Sequence, residues 1–184
     1  DEATSRKISG LEFKPDFVWI KPRSTTSNHV VLDSVRGVHN RMLPNSSNGN
    51  VNNTSTITAF NVDGFQIGNS SLLNTDGATH VAWCWKAGGD SNTFNVDDVG
   101  YASASAAGIT DGSIALTAAS VNREAGFSIV TYTGTGSSGT VGHGFTKTPK
   151  VVMTKSRSAT GSWNLLHTVG NPTAEYGLFL NDNG

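Results

Sequence analysis

Short apolar runs, each bounded by Pro, Gly, Ser or Asn, recur along the chain. Residues 13–23 (FKPDFVWIKPR) are rich in β-branched and aromatic side chains between prolines, and residues 126–133 (GFSIVTYT) alternate in polarity. Such runs, separated by turn signals about every 8 to 12 residues, are typical of β-strands, and no segment has helical periodicity. The pattern therefore predicts an all-β protein, an antiparallel, jelly-roll-like β-sandwich.

Three further segments have distinct patterns. Residues 58–67 (TAFNVDGFQI) place Asp63-Gly64 between two apolar runs, which predicts a β-hairpin. Residues 80–86 (HVAWCWK) are apolar at almost every position, which predicts a central strand that is buried on both faces. Residues 36–56 are polar and rich in Asn, and their length indicates a surface loop.

Part of the sequence occurs twice at a constant offset of 134 residues. The recurring positions are Gly10, Pro15, Val18, Lys21, Arg23, Ser24, Thr26, Leu32 and Val35, matched by Gly144, Pro149, Val152, Lys155, Arg157, Ser158, Thr160, Leu166 and Val169. An offset without gaps indicates duplication of one structural unit. We therefore expect residues 10–35 and 144–169 to have the same backbone: a strand, a turn and a strand.

The repeat also predicts the domain organisation. We expect a first sandwich unit over residues 1–89, a connector rich in Gly, Ala, Ser and Asp over residues 90–124, and the start of a second unit over residues 125–184. Both units are expected to be incomplete, as in a window cut from a longer tandem array. Residues 113–121 predict an edge strand. Residues 126–133 should pair either with the first copy, in one permuted sandwich, or with a neighbouring protomer.

Composition narrows the class of protein. Charged residues make up 15% of the chain, the formal net charge is −1, and 21 residues are Gly. This balance is typical of a turn-rich extracellular or particle-borne protein. The near-zero charge excludes nucleic acid as a principal partner. No apolar run approaches the length of about 18 residues that membrane insertion needs. The single cysteine, Cys84, excludes an intrachain disulfide framework.

An ordered series of motifs carries a family resemblance. The segments GLEFKPDFVWIKPRS, HVVLDSVRG, FNVDGFQIG, HVAWCWKAGG, NTFNVDDVGYASA and GFSIVTYTGTG resemble the repeated domains of large virion and tail-fibre-like proteins of aquatic bacteriophages. Those domains are similar to concanavalin-A-like lectin/glucanase sandwiches and often occur in tandem. The resemblance covers nearly the whole chain. It implies a jelly-roll fold and a viral structural protein at the virion surface or in the extracellular space.

Two functions of different classes are compatible with these observations. The first is a non-catalytic structural and adhesive module of a tail fibre, appendage or capsid decoration. It would contact other virion proteins, form a homo-oligomer and display a loop over residues 38–56 for host attachment through surface glycans. The second is a polysaccharide depolymerase or glycoside hydrolase of the lectin/glucanase class.

Hydrolysis needs two carboxyl groups about 5 to 10 Å apart. The glucanases that the chain resembles carry them on one strand as E-x-D-x-x-E, and this sequence has no such segment. Glu12, Glu124 and Glu175 each lack the neighbouring acidic residues that this pattern requires. The sequence therefore predicts that the chain is not an enzyme, and no catalytic residue is assigned.

The candidate glycan-binding residues lie in the repeated segment. Trp19, Lys21 and Arg23 fall on one strand face, and Lys155 and Arg157 repeat the two cations. An aromatic ring beside cationic donors can stack on a sugar ring or hold a carboxylate. The competing interpretation is a buried tryptophan with solubilising charges at the strand end.

The candidate metal ligands are oxygen donors in loops. Asp97, Asp98, Asn181 and Asp182 are side chains of the kind that hold Ca²⁺, although solvated turn residues have the same composition. The five histidines have no metal-binding spacing, so no transition-metal site is predicted. No cofactor other than calcium is expected.

Two other motifs have structural explanations. Residues 134–139 match GxGxxG, but the following TVGHGFTKTP does not begin a helix, so a loop is predicted rather than a dinucleotide site. Cys84 and His80 are four positions apart, about 13 Å along a strand, which is too far for a nucleophile and its base. Cys84 is therefore predicted to be a buried small apolar residue.

Overall fold

A computed structural model describes residues 5–168 and 177–182 of the chain. In chain order, its strands are β1 (Arg6–Ser9), β2 (Phe17–Pro22), β3 (Val30–Asp33), β4 (Asn40–Arg41), β5 (Val51–Asn52), β6 (Ile57–Asn61), β7 (Gly64–Ile67), β8 (His80–Trp85), β9 (Phe94–Val96), β10 (Val99–Tyr101), β11 (Leu116–Asn122), β12 (Phe127–Tyr132), β13 (Val151–Thr154), β14 (Asn164–His167) and β15 (Gly177–Phe179). These two ranges contain no helix, and therefore none that could cross a membrane. The all-β prediction is confirmed.

Two sheets of the first half form a sandwich. One has the strand order β1-β7-β6 and the other β3-β2-β8. Their facing sides bury one apolar cluster, which consists of Val18, Ile20, Val30, Leu32, Ile57, Phe65, Ile67 and Leu73. Removal of these side chains from water is the main force that holds the two sheets together. The jelly-roll connectivity stays a prediction.

The hairpin predicted at Asp63-Gly64 is confirmed. β6 and β7 are antiparallel, with Phe60 opposite Phe65. Gly64 has φ +146°, and a Cβ atom there would collide with the carbonyl group of Ile8 on β1. Only glycine therefore allows β1 to approach β7 this closely.

Residues 90–124, predicted to be a connector, contain three strands of a four-stranded sheet with the order β10-β9-β11-β12. β11 lies between β9, its parallel partner, and β12, so the prediction of an edge strand at residues 113–121 is wrong. Residues 126–133 lie in a sheet as predicted, but their partner strand is β11. The prediction of one permuted sandwich, in which these residues pair with the first copy, is therefore wrong. The boundaries of the two units stay predictions, and so does the completion of each unit by a neighbouring protomer.

The two sequence copies form hairpins with the same register. In the first copy Phe17 pairs with Asp33, Val18 with Leu32, Trp19 with Val31 and Ile20 with Val30. In the second copy the corresponding pairs are Val151 with His167, Val152 with Leu166, Met153 with Leu165 and Thr154 with Asn164. The next hydrogen bond repeats too: Ser34 N–H donates to Asp16 O at 2.8 Å, and Thr168 N–H donates to Lys150 O at 3.0 Å. The predicted common strand-turn-strand backbone is confirmed for the described residues, and Val169 lies outside them.

A third strand follows each hairpin with a changed offset. Val31 forms a bridge with Met42 in the first copy, and Leu165 pairs with Leu178 in the second. Met42 and Leu178 are 136 positions apart. The second copy therefore has two additional residues before its third strand, and the structural repeat extends beyond the segment that matches in sequence.

The outer face of sheet β3-β2-β8 packs against β12 and the second hairpin. The buried members of this contact are Phe17, Val31, Met42 and Trp163, with Trp19, Phe127, Ile129, Met153 and Leu180 around them. The two copies of the repeat are therefore in direct contact through an apolar cluster.

β8 is an edge strand in this arrangement, so the prediction of a central strand at residues 80–86 is wrong. Val18, Ile20 and Phe65 are buried, but the burial predicted for both faces of residues 80–86 is wrong for Trp83 and Trp85. An edge strand has one neighbour, and β12 covers only part of the outer side of β8. Its large side chains are therefore partly in solvent.

Candidate functional site

The outer faces of β2 and β8 carry a group of aromatic rings. Because side chains alternate along a strand, Trp83 and Trp85 of β8 point to the same face. In the antiparallel register Trp83 lies opposite Trp19, and Trp85 lies opposite Phe17. We call Trp19, Trp83 and Trp85 the aromatic surface.

Neighbouring rings pack against the tryptophans of β8 and leave part of each side chain in solvent. Trp83 is 46% exposed and Trp85 is 38% exposed. Trp83 meets Trp19 with centroids 6.4 Å apart and ring planes at 76°, and Trp85 meets Phe17 at 5.4 Å and 72°. Phe127 of β12 stacks on Trp85 at 5.8 Å and 11°. Positioned indole rings that stay half in solvent present a flat apolar surface with a polar edge, which suits ring-shaped ligands.

Trp19 supports the aromatic surface from a more buried position. Its Nε1–H donates to Nδ1 of His29 at 3.0 Å. Burial, together with the charge of Lys21, lowers the pKa of His29, so the imidazole is neutral near pH 7 and Nδ1 can accept this bond. The candidate Trp19 is thus part of the site, and its indole N–H is already hydrogen-bonded to His29.

The repeated lysines have a structural role in closing turns. Lys21 Nζ donates to Pro22 O at 2.6 Å, and Lys155 Nζ donates to Ser156 O at 3.1 Å. Lys155 also donates to Ser47 O at 3.0 Å, and burial lowers its pKa. The equivalent bonds explain why the lysine recurs at the offset, because each amino group binds the carbonyl group of the next residue.

The repeated arginines have exposed side chains and anchored main chains. Arg23 N–H donates to Thr79 O at 2.7 Å, and Arg157 O accepts from Asn50 N–H at 2.8 Å. Ser47 O additionally accepts from Gly161 N–H at 2.9 Å. The middle of the loop over residues 38–56 is therefore bound to the second hairpin, although Asn45 and Asn48 are exposed. Display of this loop for host attachment stays a prediction.

The acidic calcium candidates form the turn between β9 and β10. Asp97 and Asp98 have φ +52° and +67°, the left-handed conformation of a type I′ hairpin turn. Asp97 Oδ1 accepts from Arg123 N–H at 2.8 Å, and the carboxylate of Asp98 forms an ion pair with Lys86. Both side chains thus have protein partners that stabilise the turn.

The other two calcium candidates follow β15. Asn181 Oδ1 accepts from Trp163 N–H at 2.7 Å, as Asn45 Oδ1 accepts from His29 N–H at 3.1 Å in the first copy. Asp182 is the next residue along the chain. Residues 5–168 and 177–182 contain no group of three or more His, Cys, Asp or Glu side chains placed to hold a metal ion. Calcium binding stays a prediction.

The inner side of β8 borders a cavity of about 560 Å³ between the two sheets. Apolar residues such as Ile8 and Phe65 form part of its lining, and Arg6, Asp76 and His80 contribute polar groups. His80 Nε2 is buried and has no hydrogen-bond partner. Asp76 is the one acidic residue among the described residues of the lining, and these residues therefore supply no carboxylate pair of the kind that glycoside hydrolysis needs.

Cys84 is half-buried at the margin of the first-half core, so its predicted burial is only partial. Burial raises the pKa of its thiol to about 11, so the sulfur is protonated near pH 7 and is a poor nucleophile. Residues 134–139 form an exposed loop without a following helix, so the loop interpretation of the GxGxxG match is confirmed.

Asp16 immediately precedes β2, and its carboxyl group is buried. Ser34 Oγ donates to its Oδ1 at 2.8 Å, and the N–H groups of Ala87 and Gly89 donate to its Oδ2 at 2.8 and 3.2 Å. Burial raises the pKa of Asp16 although these donors oppose the shift. The side chain joins β2 and β3 to the segment that leaves β8.

The same segment is bound on its other side by the four-stranded sheet. Gly88 N–H donates to Ser120 Oγ at 2.9 Å, and Ser120 Oγ donates to Gly89 O at 2.7 Å. A Cβ atom on Gly88 would lie 2.6 Å from Val121 N and 2.7 Å from Asn95 O. Residues 87–89 therefore form a tightly packed junction between the sandwich and the four-stranded sheet.

The burial predicted for Trp83 and Trp85 is wrong, and the sequence does not single out Asp16. The alternation of large and small side chains in HVAWCW is the signal that could have assigned the tryptophans to one outer face. Asp16 has no local signal, because its three donors come from residues that are distant in sequence.

Comparison with known proteins places the chain in a family. No curated protein sequence and no solved structure matches it. The match to a family covers residues 1–184, and that family is described as a domain of unknown function, DUF7483. The chain therefore belongs to the DUF7483 family.

Proposed function

We propose that this chain is a non-catalytic structural and adhesive module of a bacteriophage particle, and that it binds host-surface glycans through the aromatic surface. The observation that carries the proposal is the pair of half-exposed tryptophans on β8. Large apolar side chains that remain together at a surface are typical of interaction sites. Trp83 and Trp85 are about 7 Å apart along the strand, so two rings are available to adjacent units of an extended ligand.

The chemistry of the surface favours a carbohydrate ligand over a charged polymer. Among the candidate residues, Lys21 and Lys155 already donate to backbone carbonyl groups. Arg23 and Arg157 have exposed side chains, and the ring faces of Trp83 and Trp85 supply the apolar part of the contact. Sugar rings present C–H groups to such faces and hydroxyl groups to the polar surroundings.

The junction at residues 87–89 supports the structural part of the proposal. Asp16 and Ser120 bind this segment from opposite sides. A tightly held connection transmits force and keeps neighbouring sheets in a constant orientation, which suits a particle appendage. Location at the virion surface, contact with other virion proteins and homo-oligomerisation belong to the same proposal and are supported by the sequence resemblance.

The enzymatic alternative has less support. Glu12 lies after β1, and Glu124 lies in the turn between β11 and β12, whereas Glu175 is outside the described residues. A hydrolase needs two carboxyl groups on either side of one bond. We therefore propose binding without cleavage.

The test is a titration of the purified chain with polysaccharides from the surfaces of candidate host bacteria. Tryptophan fluorescence is the signal that reports binding. We expect saturable binding, a loss of at least about tenfold in affinity for Trp83→Ala, and no new reducing ends. The matched control is Val99→Ala, another exposed apolar residue, which should bind as the parent does. Equal affinity of Trp83→Ala and the parent, or no binding to any surface polysaccharide, would contradict the proposal.

A further inference from the structure

The sheet β13-β14-β15 repeats β2, β3 and the bridge that β3 forms at Met42, but it lacks their cover. Its face with Val152, Leu166 and Phe179 is defined here as the docking face. The structural equivalents in the first half are Val18 for Val152, Leu32 for Leu166 and, at the offset of the third strand, Leu43 for Phe179.

The equivalent residues differ sharply in burial. Val18 and Leu32 are fully buried, and Leu43 packs against the same cluster. By contrast, Val152 is 38% exposed and Phe179 is 51% exposed. The apolar face is thus present in both copies and is covered only in the first of them among the described residues.

The first copy shows what covers such a face. Ile57 of β6 and Phe65 and Ile67 of β7 pack on Val18 and Leu32 in one cluster. The covering element is a hairpin with a two-residue turn and one apolar side. Two packed sheets lie about 10 Å apart with their inner side chains interdigitated, so a second sheet-forming element fits this face better than an irregular segment does.

From this equivalence we infer that the docking face binds a β-hairpin of the same chemistry as β6–β7. The inference goes beyond glycan binding and rests on the internal structural repeat alone. Thr154 and Asn164 replace Ile20 and Val30 at one end of the face, so the apolar contact is smaller than in the first half. The docked hairpin should therefore be held less tightly than β6–β7.

The test uses the full chain with residues 49–68 repeated after Gly184, which continues the offset of 136 residues. If the repeated hairpin docks, the melting temperature rises and the amides of β13 and β14 exchange more slowly than in the parent chain. The matched control carries Phe65→Asp and Ile67→Asp in the repeated copy alone, which leaves the first sandwich intact. Equal stability and exchange in the extended chain and this control would overturn the inference.

Two neighbouring substitutions assign the contact to one face. Val152 belongs to the docking face, whereas Val151 is 58% exposed and points to the opposite face. In the extended chain, Val152→Asp should abolish the gain in stability and Val151→Asp should preserve it. The reverse result, or equal effects, would overturn the assignment. The same substitutions in the parent chain control for folding, with Val152→Ser as the milder second variant.

Discussion

Trp163 donates its indole N–H to the backbone carbonyl oxygen of Leu43 at 3.0 Å. The bond connects the second hairpin to the loop that follows the first hairpin, and the indole ring is buried among Phe17, Val31 and Met42. A directional polar contact inside an apolar cluster thus fixes how the two copies of the repeat pack together.

Replacement of Trp163 should separate the apolar and polar parts of this contact. Trp163→Ala is expected to lower the free energy of unfolding by about 3 to 5 kcal/mol, because it leaves a large cavity. Trp163→Phe should cost less, about 1 to 2 kcal/mol, because most of the ring volume remains and the bond to Leu43 is lost. Denaturant unfolding measures both. A loss below about 1 kcal/mol for Trp163→Ala would show that the halves do not depend on this contact.

Gly88 should tolerate no side chain. The backbone atoms of Val121 and Asn95 occupy the space of a Cβ atom, so Gly88→Ala must displace a paired strand and should cost about 1 to 3 kcal/mol or more. The control is Gly134→Ala, where a Cβ atom would meet open space. Thermal unfolding of both variants checks the prediction, which requires Gly88→Ala to melt well below Gly134→Ala.

Asp16 should make stability depend on pH in the direction opposite to most carboxylates. Its folded pKa lies above the ordinary value of 3.8, so the folded state binds the proton more tightly than the unfolded state does. The contribution of this group therefore falls as pH rises from about 3.8 through the folded pKa. Asp16→Asn removes this titration, so the stability of the variant relative to the parent should increase over that range.

The matched variant is Asp16→Ala, which leaves the buried N–H groups of Ala87 and Gly89 without their acceptor. Each unsatisfied group costs about 1 to 3 kcal/mol, whereas the asparagine oxygen can still accept from both. Denaturant unfolding at several pH values should therefore rank Asp16→Ala well below Asp16→Asn. If the two variants are equally stable, the carboxylate does not organise the junction.

Trp83→Ala should have a small effect on folding. Because the ring is 46% exposed, its removal should cost about 1 kcal/mol, well below the 3 to 5 kcal/mol expected if it were in the core. Leu32→Ala, at a fully buried position, provides the comparison and should cost about 2 to 5 kcal/mol. Chemical denaturation that ranks Trp83→Ala as the more damaging change would mean that the tryptophan is covered in solution.

Local features of this fold could be predicted from residues alone. The offset between Lys21 and Lys155 predicts two hairpins of equal register, because duplicated sequence forms the same short-range contacts. Asp63-Gly64 predicts the β6–β7 turn, since a tight turn depends on neighbouring residues. By contrast, the residue pattern of β8 shows how apolar each of its two faces is. It does not show which face a second layer of the structure covers.

The sequence by itself determined the all-β class, the repeated hairpin and its register, and the turn of β6–β7. Tertiary structure decided that β8 lies at an edge with Trp83 and Trp85 partly in solvent, that residues 90–124 form strands, and that Asp16 meets its distant donors. Strand order and burial depend on contacts between residues far apart in the chain, whose cost is loop closure and whose gain is apolar area removed from water. Those terms are absent from any short window of sequence.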